Sequence, residues 1–246
     1  MKKVLSVLLA LVMVLLSVNL ATAEGTASVK AGDIVTFGRY PQTAEGTDQT
    51  PIEWIVLEVK DGRALVISRN GLDTVLYNPE ETDVTWEACS LRTWLNNDFL
   101  NAAFTPEEQE AIPVTEVDNS VAQGYSEWHK DGGNNTQDRI FLLSYAEANR
   151  YFAVTWEDKD NIKARVEPTE YAISMGALAN KRYRTENDAA AGWWWLRSPG
   201  DYYLNAACVY VVGSLNYDNV SNRTGCVRPA LWIDLNSEIF RSENPQ

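Results

Sequence analysis

Hydrophobic and polar positions change period twice along this chain. Between residues 33 and 68, apolar side chains come in short β-branched and aromatic runs, Asp33–Gly38, Ile52–Val59 and Ala64–Ser68. The last two flank Asp61-Gly62, a dipeptide suited to positive φ, so the pattern predicts strands joined by a tight hairpin. From about Thr85 to Ala103 the period becomes helical, with Leu91, Trp94, Leu95 and Phe99 recurring at i, i+3, i+4 and i+8. Thr105-Pro106-Glu107-Glu108 and Ser144-Tyr145-Ala146-Glu147 are capping boxes that each predict a helix start. The second of these helices buries Tyr145, Ala148 and Phe152, and a further helix is expected over Thr169 to Ala179. Between the two capping boxes, Val117 to Gln137 is polar and Gly/Asn-rich, which predicts a long surface loop, and Arg139–Leu143 reads as a strand. The last sixty residues return to strands: Ala207 to Val212, a turn at Gly213-Ser214, Leu215 to Tyr217, then Cys226 to Ile233. Pro229 inside the final run argues for an edge position or a bulge. Strands, then helices, then strands predict one α+β domain whose two strand regions join in a sheet.

One segment does not fit a half-buried strand. Trp193-Trp194-Trp195 places large rings on both faces, because side chains alternate with period 2. The strand is therefore expected to be central and covered on both sides, with Trp194 among its structural residues. Trp54, Trp86, Trp94 and Trp232 sit on apolar faces and are expected in the core.

The first 23 residues stand apart from this pattern. Lys2 and Lys3 precede an apolar run from Val4 to Val18, and Ala21-Thr22-Ala23 is an A-x-A cleavage site. The run is shorter than a spanning helix needs, and no cysteine follows for lipid attachment. The expectation is a signal peptide over 1–23, cleavage after Ala23, and a secreted or cell-surface domain over 24–246 with no remaining membrane segment. The net charge is −13, and loss of Lys2 and Lys3 takes it to −15. Such a surface repels nucleic acid and anionic lipid. Three cysteines, Cys89, Cys208 and Cys226, are too few for a disulfide framework. Two alternatives stand: all three are small apolar fillers, or Cys208 and Cys226 meet across neighbouring strands as one disulfide, which export would permit.

Catalytic motifs are scarce. The single histidine, His129, falls in the polar loop, so a His-based triad or multi-His metal site has no material. No nucleophile elbow, phosphate loop or dinucleotide fingerprint occurs. Asp131 to Asp138 spaces oxygen ligands as a calcium loop would but lacks the bidentate glutamate; turn formation is the simpler reading, and no metal site or cofactor is assigned. Arg92, Arg197 and Arg228 are expected to anchor loops through carboxylates or carbonyls, since a guanidinium offers five fixed donors. The best candidate ligand surface is the loop and hairpin after the tryptophans: Asp201, Tyr202, Tyr203 and Asn205, then Asn216, Tyr217, Asp218 and Asn219. Tyrosine mixed with small polar residues makes an adaptable recognition surface, and sugars suit it by stacking on rings while amides and carboxylates bond their hydroxyls.

The series Gly32–Gly38, Ile52-Glu53-Trp54, Thr85–Asn96, Asp138–Ser144, Trp194–Gly200 and Val227–Leu231 resembles the bacterial DUF6273 family. That resemblance implies an exported or surface-associated module of Gram-positive bacteria and carries no biochemical activity. The C-terminal half is more weakly similar to C-type-lectin-like modules, the fold shared by sugar-binding lectins and the formylglycine-generating enzymes. This implies a twisted, mostly antiparallel sheet with two to four flanking helices and ligand-binding loops. The tripeptides of calcium-dependent lectins are missing, and Cys208 and Cys226 are too far apart in sequence to match the reactive cysteine pair of the formylglycine-generating enzymes. Fold likeness does not decide function. The expectation is a non-catalytic recognition module for carbohydrate or a surface protein. The alternatives are an enzyme on the same fold using Cys208, Cys226 or a carboxylate pair, and a purely structural surface domain.

Overall fold

The computed structural model describes residues 29–244; the expected leader and the expected cleavage site after Ala23 lie outside the described residues. The N-terminal meander is β1 (Ile34–Tyr40), β2 (Thr50–Lys60) and β3 (Arg63–Ser68). The turn between β2 and β3 holds Asp61 at φ 52° and Gly62 at φ 74°, the two positive angles that a hairpin of this hand requires. The helical segment follows as α1 (Ser90–Trp94), a π-helical turn over Leu95–Phe99, and α2 (Leu100–Ala103). It starts five residues later than the apolar stripe suggests, because Cys89 is extended and its sulfur accepts the Arg92 N–H as a cap. The π turn has a local cause. Asn96 and Asn97 donate side-chain N–H groups to the carbonyls of Arg92 and Thr93, four residues back, in competition with the backbone ladder.

Helix α3 (Pro106–Glu110) and helix α4 (Tyr145–Phe152) both begin with the expected reciprocal capping boxes, at Thr105/Glu108 and Ser144/Glu147. Between them, β4 (Thr115–Val117) pairs with β5 (Thr136–Asp138), so the polar segment is a closed loop with 3-10 turns at Val121–Gln123 and Ser126–Trp128. Strand β6 (Ile140–Phe141) precedes α4, and α5 (Glu170–Ser174) is shorter than the expected 169–179. It ends because Gly176 turns left-handed at φ 116° and the Ala177 N–H closes back on Ala172. The remaining elements are β7 (Asn180–Arg184), β8 (Ala190–Ala191), β9 (Trp194–Pro199), β10 (Asn205–Val209), β11 (Leu215–Asn219), β12 (Ala230–Asp234) and α6 (Glu238–Glu243). The sequence pattern did not suggest α6, which packs Phe240 against Phe37.

The protein is α+β. Its larger sheet runs β1-β2-β3-β12-β6, so the final strand does join the N-terminal meander; a second sheet runs β11-β10-β9, and β4-β5 and β7-β8 are two-stranded. All named strand pairs are antiparallel. Strand β12 is interior, contrary to the edge position that Pro229 suggested. Pro229 precedes the strand and contributes only its carbonyl, which accepts the Ser68 N–H, so β12 loses no ladder donor.

Buried residues from Val35 to Phe240 make one continuous apolar cluster. The tryptophan tract is covered on both faces: Trp193 and Trp195 meet edge to face at 4.6 Å, while Trp194 meets Phe152 on the opposite side. Gly225 is what lets the chain close over this strand, since a Cβ there would lie 2.5 Å from the Trp193 ring. Trp54 and Trp86 are fully buried, whereas Trp94 and Trp232 are only partly so.

The cysteines adopt the filler alternative, not the disulfide. Cys89, Cys208 and Cys226 are free and buried. Cys208 pairs across one edge of β9, opposite Trp195, while Cys226 exchanges hydrogen bonds with Trp193 and Trp195 along the other edge. A whole strand therefore separates them, beyond the roughly 7 Å that a disulfide spans between Cα atoms.

Candidate functional site

The end of β9 connects the buried tryptophans to the surface. Arg197 is 2% exposed, and every one of its nitrogens is engaged. It grips Glu147 of α4 with two bonds (2.5 and 3.1 Å), donates to the Asn119 side chain (3.2 Å), and reaches the carbonyls of Leu142 (2.8 Å) and Asp118 (3.0 Å). The next residue extends the clamp, as the Ser198 hydroxyl donates to the Gln123 carbonyl (2.8 Å) and accepts from the Tyr145 N–H (3.0 Å). Two adjacent side chains on one rigid strand thus fix the 118–124 loop and the start of α4. Gly132 closes the same loop from the other side, where a Cβ would lie 2.4 Å from the Asn119 carbonyl oxygen.

What these anchors position is a group of five aromatic rings at the surface. Tyr125 meets Trp128 (5.3 Å), Tyr145 (5.4 Å) and Trp156 (6.3 Å); Trp128 meets Trp156 (5.7 Å) and Tyr217 (5.3 Å); Trp156 lies nearly parallel to Tyr217 (6.1 Å, 14°). Edge-to-face pairs fix the rings against one another, and the parallel pairs leave flat faces. Trp156 is 39% exposed and the other four are half-buried. The rings come from the 118–135 loop, α4, the segment after α4, and β11. Acidic groups surround them: the Tyr145 phenol is held above its ordinary range by burial first, then by Tyr125 and the Glu157 and Asp158 carboxylates.

The eight surface residues singled out in the sequence divide around this cluster. Tyr217 is part of it. Tyr203 makes no ring contact with it and instead has the Lys130 ammonium 5.0 Å from its ring centroid, and Tyr202 is 62% exposed. Asp201 and Asn205 are half-exposed at the ends of the turn closed by the Asn205 N–H to the Tyr202 carbonyl. Asn216 and Asp218 alternate with Tyr217 on β11 and so face the opposite side of the strand. Their side-chain oxygens accept from the N–H groups of Tyr217 and Asn219, and Asn219 accepts from Ser221. These three shape the strand and its turn. Trp128 and Trp156 lie in polar stretches without periodicity and so carry no pattern signal; a large aromatic in such a stretch is the one mark that singles them out.

Arg92 acts as a second anchor, bonding Asp138 (2.7 Å) and the Glu87 and Gln137 carbonyls. The oxygens proposed for a calcium loop are used internally. Asp138 binds Arg92, Trp86 and Thr136, Asp131 accepts from Gly133, and Asn135 accepts from Asn119. Among the described residues no three His, Cys, Asp or Glu side chains converge as metal ligands. Burial pushes the Cys89 and Cys226 thiols up to about 12, and Cys208 is also raised, the direction opposite to that of a reactive thiolate. Trp194 and Arg228 pack together, the guanidinium 4.9 Å from the indole centroid and 5.1 Å from that of Phe152. Arg228 holds a carbonyl, that of Ser68, as expected of an anchor, but it is the only one it holds and it has no carboxylate.

The profile of the DUF6273 family, described as a domain of unknown function, matches residues 61–235. The chain belongs to this family. No curated protein and no solved structure gives a match. The DUF6273 match begins in the β2–β3 turn and ends just after β12, so it contains both anchoring arginines and all five surface rings, while β1 and β2 complete the sheet from outside it. No helix among the described residues is long and apolar enough to cross a membrane.

Proposed function

We propose that this DUF6273 protein is an exported, non-catalytic recognition module that binds carbohydrate through the rings of Tyr125, Trp128, Tyr145, Trp156 and Tyr217. The observation that carries this is the cluster itself: a rigidly held, partly exposed aromatic surface with carboxylates at its rim. Sugar rings offer C–H faces that stack on indole and phenol, and their hydroxyls bond neighbouring carboxylates and amides. Preorganisation favours such a site, because Arg197 and Ser198 have already ordered the loop before any ligand arrives. The lectin-like fold belongs to this proposal as well: a tryptophan strand and hairpin that support ligand-bearing loops are the features it shares with those modules. Export from the cell follows from the leader read in the sequence. The enzyme alternative finds little support in the cysteines, whose thiols burial keeps protonated.

Screening the protein on a glycan array tests the proposal, with Trp156→Ala and Trp128→Ala as paired variants. A hit lost in both variants, at unchanged thermal stability, is the expected result; loss of one stacking ring is expected to weaken binding about 10-fold or more. A blank array, or a hit that both variants retain, would remove carbohydrate and leave a surface protein as the ligand to test by the same variants.

A further inference from the structure

The protein carries a net charge of −13, yet one pocket gathers cations. A cavity of about 330 Å³ is lined by Arg69, Lys163, Arg165 and Arg228, with Glu167 and Glu186 also on its wall. It is distinct in its lining from the aromatic cluster. Arg69 is engaged by Glu53 at 2.6 Å, and Lys163 is exposed, with no ion pair among the described residues.

The two other cations are buried and incompletely bonded. Arg228 is 1% exposed; its Nε donates to the Ser68 carbonyl (2.9 Å), its guanidinium lies against both the Trp194 and Phe152 rings, and its Nη1 has no partner. Arg165 has a side chain 5% exposed; it bonds Asp160 and the Arg184 carbonyl and lies by the Tyr183 ring, and its Nε has no partner. These are the unpaired buried side-chain nitrogens and oxygens among the described residues, and both belong to guanidinium groups on the wall of the same cavity. Buried polar groups are almost always satisfied, and a guanidinium keeps its proton at neutral pH. A buried cation without an anion is costly. Arg197, equally buried, shows what this chain does when it completes such a site from within.

We infer that the Arg165–Arg228 pocket binds a small polar anion, whose oxyanion group supplies the acceptors that the two guanidinium groups lack. Carboxylate and phosphate share the required chemistry, since the guanidinium fork fits either. The cavity is far larger than the roughly 30 Å³ of one water, so it accommodates more than a bare ion. Glu167 and Glu186 offer acceptors for hydroxyl or amino groups on the rest of the molecule.

Titration calorimetry and thermal unfolding of the full chain test this with three probes, inorganic phosphate, sulfate and gluconate, against chloride at matched ionic strength. A saturable heat and a saturable rise in Tm with phosphate or gluconate, absent with chloride, are expected; phosphate and gluconate as separate arms tell a phosphoryl from a carboxylate ligand. Lys163→Gln combined with Arg165→Gln is expected to weaken the response at least about 10-fold. Arg228→Lys keeps the charge and loses the fork, and it is expected to weaken binding similarly. Trp156→Ala should leave the anion response unchanged, so this pocket and the aromatic surface succeed or fail separately. No saturable response to any of the three oxyanions, or a response that the double variant retains in full, would overturn the inference.

Discussion

Arg197 and Arg228 are both almost wholly buried, and both belong to short motifs around the tryptophan strand, yet the structure treats them differently. Arg197 has a carboxylate, an amide and two carbonyls for its nitrogens. Arg228 has one carbonyl and two aromatic rings. The difference shows what each group is placed to do. A saturated guanidinium is a fastener: it ties α4 and the 118–124 loop to β9 and so presents the surface rings. An unsaturated one, pulled down to about 9 by burial and still cationic at neutral pH, is a waiting electrostatic partner.

Substituting each arginine by methionine tests that contrast most strongly. Arg197→Met strands the Glu147 carboxylate and unties the loop, and it is expected to cost about 3–5 kcal/mol. Arg228→Met removes a buried charge that has no counter-ion and keeps much of the ring contact, so its cost is expected to be about 1 kcal/mol or less. Urea denaturation midpoints at unchanged m-value would report both. Equal losses would show that Arg228 is as much a fastener as Arg197, and the distinction would fall.

A smaller effect is expected at the helix that Arg197 holds. The Ser144 hydroxyl caps α4 by accepting the Glu147 N–H, and it also donates to the Gln123 side chain. Ser144→Ala is expected to cost about 1 kcal/mol. If Glu147 is held mainly by Arg197, this variant should retain the aromatic surface, which near-ultraviolet circular dichroism of the rings would show; loss of that signal would place the cap, and not the arginine, in control of the loop.

The last effect is read as a pH slope and concerns a carboxyl that the fold sets beside another carboxyl, with Arg39 only partly offsetting it. The Glu243 carboxyl is raised from 4.5 to about 7, by burial first and then by its hydrogen bond to Glu108 and the charge there. Because the folded form holds this proton more tightly than the unfolded chain, its contribution is fully present below about pH 4.5. It is lost as pH rises through the window up to about 7. Glu243→Gln should therefore flatten the fall in stability across that window. Identical pH slopes for the two proteins would show that the α6 end does not titrate with folding.

Much of the secondary structure was legible in the chain because its causes are local. Asp61-Gly62 turns, Thr105 and Ser144 cap, and the Leu91–Phe99 stripe follows a helical period whatever surrounds it. The structure departs from the pattern at element ends, where single residues and not periodicity set the boundary. Cys89 capped α1 and delayed its start, Gly176 ended α5 early, and Pro229 sat beside an interior strand because its missing N–H was not needed there. Of the proposed ligand surface, Tyr217 joined the ring cluster, whereas Asn216 and Asp218 turned away, since alternation on β11 could be applied only once the strand and its buried face were known.

The sequence by itself determined the α+β composition, the family, and the double burial demanded by Trp193-Trp194-Trp195, because periodicity and side-chain size act over a few residues. Only the tertiary structure decided that Cys208 and Cys226 lie on opposite edges of one strand, that rings from four separate segments gather at one surface, and that Arg165 and Arg228 share a cavity with unpaired nitrogens. Those are facts about which distant residues meet, and meeting depends on how the sheets and loops close around a common core.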